Sequence, residues 1–412
     1  MTTVFDSIIV GAGPAGSSVA ILLARAGWQV ALIEKQTFPR RKVCGECIAA
    51  SNLPLLDALG IGDAVAAGAG PELRQVALMH GNSTTLAGLP PALHGTHRWG
   101  RALGRETLDT LLLAQARASG AHVLQPWSVQ AINGAPGQWR CVVRAVESKA
   151  QQTLQAPVFI AANGSWEALP AERAARPAVH RRSDLLAFKA NYPGASLARG
   201  LLPVLSFNGG YGGMVGAGGG VTTVACCVRR DRLEALRCAL PGLSAGEAVE
   251  AMLKRECAGV REALATATRD GPWLAAGPLH PGIRVNAEDG FLRVGNAAGE
   301  AHPIIGEGMS MALQSAWLLC SQLLDGDGLD MALGAVWQHG VQRRYAAQWR
   351  RQFGPRLQLA AAFAHLAMRP ASAALLAGTV RRWPGLLTHG AKWGGKTRSA
   401  VDLGITTTEG IA

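Results

Sequence analysis

The sequence has no uncharged apolar run approaching the ~18 residues that a membrane-crossing helix needs, so no span is expected. Met1–Phe5 carries no basic segment followed by an apolar stretch and a small-residue cleavage site, so no secretory signal is expected. There is no internal repeat. The eight cysteines (Cys44, Cys47, Cys141, Cys226, Cys227, Cys238, Cys257 and Cys320) follow no regular spacing. They are read as reduced thiols of a cytoplasmic protein and not as a disulfide framework. Charged residues are only 17% of the chain while apolar residues are 49%, which excludes disorder. Acidic residues are the scarcer sign, 28 against 40 Lys and Arg, for a net charge of +12. Most of that excess sits late: between Val341 and Ala412 eleven Lys and Arg face only Asp402 and Glu409. No nucleic-acid-binding motif accompanies the charge, so no nucleic acid partner is expected. The basic stretch reads either as a solvated helical face or as peripheral contact with a membrane, a carrier protein or a phosphate-bearing substrate.

Glycine is abundant, 51 of 412 residues, about 12% against a typical ~7%. The glycines have no three-residue period, so collagen is excluded; tight turns and close backbone approaches, as at a large cofactor, are implied. Ser7–Val10 reads as a strand, Ala15–Ala26 as a helix stopped by Gly27, and Gln29–Ile33 as a second strand. This βαβ unit implies a parallel sheet. Between its first strand and helix lies Gly11-Ala12-Gly13-Pro14-Ala15-Gly16. Gly11 permits the tight turn, Gly13 lets the backbone approach a pyrophosphate, and Gly16 lets helix and strand pack closely. Free N–H groups at the helix start, near Ala15, favour phosphate. Glu34 closes the second strand and suits ribose hydroxyls, which disfavours a 2′-phosphate. FAD or NAD is therefore the expected nucleotide.

Arg105–Ala118 shows helical spacing, and Val123–Leu124 and Val158–Ala161 read as further strands. From about Trp166 to Pro272 short strand-like runs alternate with glycine clusters, which suggests a mixed or antiparallel sheet in an inserted domain. Phe291–Val294 resumes the strand pattern and Gly308–Leu324 is helical. Met331–Ala391 is helical by composition, with breaks expected near Gly354-Pro355, Pro370 and Pro384. The expected fold is α/β. A Rossmann-like cofactor domain is assigned to 1–75, 100–165 and 273–330, a mixed-sheet substrate domain to 76–99 and 166–272, and a basic helical region to 331–412.

A second turn, Gly295-Asn296-Ala297-Ala298-Gly299-Glu300 through Gly306-Glu307-Gly308, follows a strand and opens a helix. With the first motif it resembles the FAD-binding pair of the aromatic-hydroxylase-like flavoproteins, which include flavin monooxygenases, flavin halogenases and geranylgeranyl reductases. The family's second turn carries Gly-Asp, whose carboxylate holds a ribityl hydroxyl; this chain has Asn296, whose amide can also hydrogen-bond one. Phe38-Pro39-Arg40-Arg41-Lys42-Val43-Cys44-Gly45-Glu46 resembles the loop of the geranylgeranyl-reductase-like branch and of oxidoreductases of secondary metabolism. The resemblance implies FAD, with cofactor contacts from Lys35, Arg41, Cys44, Gly45, Arg105, Val129, Asn163, Gly164, Asn296, Gly306, Glu307, Gly308 and Met309. Where monooxygenases often carry Asp-Gly, this chain has Asn163-Gly164, which leaves NADH, NADPH or a flavin reductase as the electron donor.

Four residues are candidates for chemistry. Glu46 is the one carboxylate of its loop, and its alternative is pairing with Arg40 or Lys42. Lys189 sits on a strand and either faces the pocket or is an edge-strand lysine. Tyr211, among glycines, is placed at a substrate wall. His302 precedes Pro303 beside the flavin edge. Cys44-Gly45-Glu46-Cys47 is read mainly as a loop along the flavin, less as a redox disulfide, and no metal site is expected. The halogenase segment Trp-x-Trp-x-Ile-Pro is missing, and no Lys lies between Lys42 and Lys149 where a relay lysine would fall. The resemblance thus implies a monooxygenase acting on a lipophilic or aromatic biosynthetic intermediate through a flavin C4a-hydroperoxide. The alternative is a reductase or dehydrogenase that moves hydride at flavin N5. The substrate is a hydrophobic small molecule, free or carrier-bound.

Overall fold

The computed structural model describes residues 2–93, 95–170, 180–285, 289–325 and 334–393. At its centre is a five-stranded parallel sheet ordered Leu292–Arg293, Val158–Ala161, Ser7–Val10, Val30–Ile33 and His122–Leu124. Its central strands Val158–Ala161 and Val30–Ile33 are apolar throughout because both faces are covered. Ile9, Leu32 and Ile160 point into a core shared with helices Pro14–Arg25, Arg105–Ala118 and Gly308–Leu324. Ile8, Val10, Ala31, Ile33 and Phe159 point the other way, onto Trp139, Cys141 and Leu154. Those three belong to a four-stranded sheet made of Thr2–Val4, Gln151–Ala156, Trp139–Ala145 and Trp127–Asn133. This second sheet was not foreseen as a layer of its own.

The larger sheet has seven strands in the order Asp270–Ala276, Leu185–Pro193, Val221–Arg229, Gly210–Gly216, Leu201–Phe207, Gln75–His80 and Ser83–Gly88. All its pairings are antiparallel except Leu201–Phe207 with Gln75–His80. The α/β fold with a mixed substrate sheet matches the expectation. Helices Arg230–Ala239 and Ala245–Glu256 bury Leu233, Val249 and Met252 against Phe188, Val224 and Val228. The register places Ala187, Lys189 and Asn191 on one side with Thr223, Ala225 and Cys227, toward the cofactor domain.

The tail departs from expectation at one point. A single 33-residue helix, Ala335–Ala367, runs through Gly354-Pro355 without a break. Proline removes one N–H and crowds the preceding turn. Here Pro355 lies on the exposed side, while Tyr345, Trp349, Phe353 and Ala360 are buried at helical spacing on the other. Core packing of the opposite face holds the axis straight through the proline. The helix does end before Pro370. Helices Pro370–Arg382 and Gly385–Trp393 then cross Gln75–His80 and neighbouring strands of the large sheet.

Candidate functional site

The turn after Ser7–Val10 is built for close approach. Gly11 has φ +102°, and a Cβ there would lie 2.5 Å from the Ala162 carbonyl oxygen. A Cβ on Gly16 would lie 1.9 Å from the Gly11 carbonyl oxygen. At Gly13 a Cβ would meet nothing closer than Arg105 Nη2 at 3.7 Å, so space is left beside the helix start. Buried Glu34 accepts hydrogen bonds from the N–H groups of Ala12 (3.0 Å) and Gln36 (2.9 Å).

Cations gather around this turn. Arg105 donates to both carboxylate oxygens of Asp109 at 2.8 Å. Burial opposes its charge, but Asp109 more than offsets this and holds its pKa well above the usual value. Arg40 lies 3.4 Å from Glu34 and 3.8 Å from Asp109. Lys42 completes the group. Burial, then the neighbouring Arg105 and Arg40, push its pKa down to about 8. Three crowded cations beside a glycine cradle fit the diphosphate of a dinucleotide, which would relieve their repulsion. Lys42 and Arg40 were not among the expected cofactor contacts, although the Arg-Arg-Lys run in the loop placed three cations there.

The cradle opens into a cavity of about 800 Å³. Its cofactor end is lined by Gly13, Ala15, Lys42, Cys44, Gly45, Arg105, Gly164, Asn296, Gly306, Gly308 and Met309. Asn296 donates from Nδ2 to Ser165 Oγ at 2.8 Å. Gly306 adopts φ +63°, which lets the chain turn into helix Gly308–Leu324; no side chain caps that helix, so its first N–H groups are free at the wall. The far end is apolar. Val76, Leu78 and Leu202 from the large sheet face Phe363, Leu376 and Val380 from the tail helices.

Glu46 sits where the two ends meet. It is buried with φ +57°, an uncommon conformation for a side-chain-bearing residue. Its Oε1 accepts the Arg105 backbone N–H at 2.8 Å and a hydrogen bond from Lys189 Nζ, while Oε2 accepts from Thr223 Oγ1. Thr223 also contacts Asn191 Oδ1 at 3.1 Å. One carboxylate thus ties the cofactor loop, the start of helix Arg105–Ala118 and the substrate sheet together. The pairing of Glu46 with Arg40 or Lys42 does not occur. Lys189 lies on an interior strand, buried against Glu46 and outside the cavity lining, so it is neither a pocket-facing base nor an edge lysine.

Tyr211 does line the cavity, with its hydroxyl buried against the Cys227 thiol and no oxygen or nitrogen partner among the described residues. Trp166 Nε1 is also buried without such a partner and packs against the same cluster. His302 is behind the wall, edge-on to His365 at 5.9 Å. Burial and then His365 lower its pKa to about 4, so its ring is neutral near pH 7.

Other expected contacts are placed elsewhere. Glu307 is buried against Arg356 at 3.2 Å. Lys35 pairs with Glu167, and Arg41 with Asp270, both half-exposed. Val129 packs into the core beneath the parallel sheet. Asn163 donates from its side chain to the Glu167 carbonyl. Cys44 and Cys47 are not joined in a disulfide. Among the described residues no three His, Cys, Asp or Glu are grouped to hold a metal ion.

Residues 4–188 match the family model for an FAD binding domain. This match gives the chain an FAD-binding domain, with FAD as its cofactor. Its fold is shared with two solved structures. One is a myxobacterial chondrochloren halogenase: TM-score 0.74, 21% identity, 94% of this chain and 91% of that one. The other is a probable FAD-dependent monooxygenase from Pseudomonas aeruginosa: TM-score 0.67, 17% identity, 89% and 96%. Among curated proteins, conditioned medium factor receptor 1 of Dictyostelium discoideum is 26% identical over 375 residues, 85% of this chain and 68% of that protein. A tryptophan 2-halogenase of Chondromyces crocatus is 50% identical over 60 residues, 15% of this chain and 11% of the relative. A menaquinone reductase of Mycobacterium tuberculosis is 47% identical over 57 residues, 14% of each.

Proposed function

We propose that the protein is an FAD-dependent monooxygenase that hydroxylates a lipophilic or aromatic substrate held in the apolar end of the cavity. The observation that carries this reading is the continuity of one cavity, from the cation-lined cradle at Gly13 to a chamber walled by aliphatic side chains. Bound FAD would supply oxygen activation; the protein supplies position and exclusion of water. Arg40, Lys42 and Arg105 would hold the diphosphate, Glu34 the ribose, and Asn296 the ribityl chain. The free N–H groups of Gly308 and Met309 favour negative charge at the flavin edge. Tyr211 and Trp166 offer the chamber their rings while their polar atoms are buried away from it, which suits an apolar substrate.

Among the described residues lining the cavity, Lys42 is the one lysine, and it belongs to the phosphate cradle. That favours hydroxylation over halogenation. A second reading, hydride transfer as in geranylgeranyl reductases, is supported by the Phe38–Glu46 loop and by the short likeness to menaquinone reductase. The three readings separate by product. The FAD-loaded, reduced protein is given a panel of lipophilic phenols under isotopically labelled oxygen with bromide present. Hydroxylation places one labelled oxygen atom in the product and the other in water. A brominated product, or a product that gains two hydrogens without oxygen, contradicts the proposal.

A further inference from the structure

From Ala335 to Trp393 the chain holds nine Lys and Arg and no Asp or Glu. The long helix ends at Ala367, and the next turns away from it by 105°. That helix, Pro370–Arg382, has a double character. Leu376, Ala377 and Val380 wall the cavity. Its other side exposes Ala374, Leu375, Gly378, Arg381 and Arg382. Leu375 is 72% exposed and Trp383, just beyond, 59%. Phe363 and Leu386 are both exposed and cavity-lining, so they stand at the mouth.

We propose that this face, helices Pro370–Arg382 and Gly385–Trp393, docks on the surface of an anionic lipid bilayer with the cavity mouth against it. The helices are 13 and 9 residues long, too short to cross a bilayer but suited to lie in its interface. Leucine and tryptophan enter the headgroup boundary, where tryptophan is favoured. Arg381 and Arg382 meet anionic headgroups, and neither helix carries an acid of its own to repel them. An acidic carrier protein would pair with the arginines but would leave the outstanding Leu375 and Trp383 without a role. A lipophilic substrate would then reach the cavity without crossing water; that step rests on the proposed function, whereas docking does not.

The test is co-sedimentation of the full-length, FAD-loaded protein with phosphatidylglycerol–phosphatidylcholine vesicles and with pure phosphatidylcholine vesicles. Binding to the anionic vesicles is expected at low salt and is weakened by added salt. Arg381→Gln with Arg382→Gln should lower the partition about thirtyfold. Leu375→Gln with Trp383→Gln, also on the surface, should lower it at least tenfold. An unchanged bound-flavin spectrum shows that each variant is folded. Protein that stays in the supernatant, binds neutral vesicles equally, or binds undiminished in both variants overturns the proposal. Capture by an acidic acyl carrier protein in place of vesicles overturns it as well.

Discussion

Single side chains in this protein report what the site is waiting for. Lys42, lowered to about 8 by burial and its cationic neighbours, has an amine that a bound diphosphate would re-protonate. FAD affinity should be flat below pH 8 and weaken above it, by up to about tenfold per pH unit, until the raised pKa of the complex is passed. Fluorescence titration of the apoprotein across pH 7 to 10 checks this, and Lys42→Met should abolish the slope. Tyr211 carries a buried hydroxyl whose polar neighbour is the weakly bonding Cys227 thiol. Tyr211→Phe should therefore raise the melting temperature slightly while leaving the affinity for a phenolic ligand within about twofold, because the hydroxyl is shut away from the cavity. His302 gives the opposite sign to an acid-stabilised group. Its pKa is about 4 in the fold against 6.5 unfolded, so the unfolded chain binds the extra proton. Stability is lost as pH falls from about 6.5 to 4, by at most about 3 kcal/mol. Urea melts across that range should show the loss, and His302→Gln should flatten it.

At the scale of elements, the βαβ unit was legible in the sequence because short-range chemistry dictates it. Gly11, Gly13 and Gly16 each answer to a backbone contact, and Glu34 to the turn it closes. What was not legible joins residues far apart. The Glu46–Lys189–Thr223 bond set spans 143 and 177 positions, and nothing local marks Lys189 as its partner. The four-stranded sheet escaped notice because alternation in Trp139–Ala145 does not say which layer it covers. The uninterrupted Ala335–Ala367 helix was missed because the proline rule was applied without knowing that Pro355 faces water. The buried latch yields its own prediction. Glu46→Gln should destabilise by about 3–5 kcal/mol, since it strands the Lys189 ammonium. Adding Lys189→Met should recover much of that loss, a coupling that a double-mutant cycle in chemical denaturation reads directly.

For the whole molecule, the account joins three bodies into one device. The parallel sheet and its glycine turns present FAD, the seven-stranded sheet offers an apolar floor, and the tail helices roof it. The tail's charge was plain in the sequence; its place over the cavity was not, because it depends on a helix folding back onto a strand 300 positions earlier. If one cavity holds reduced flavin beside a dry chamber, oxygen chemistry should be controlled there. The direct measurement is stopped-flow absorbance: the FAD-loaded protein is reduced anaerobically and mixed with oxygenated buffer, with and without a lipophilic phenol. The account predicts a transient near-ultraviolet band between the reduced and oxidised spectra, longer-lived with the phenol bound. Sluggish or direct reoxidation without that band under both conditions would contradict it.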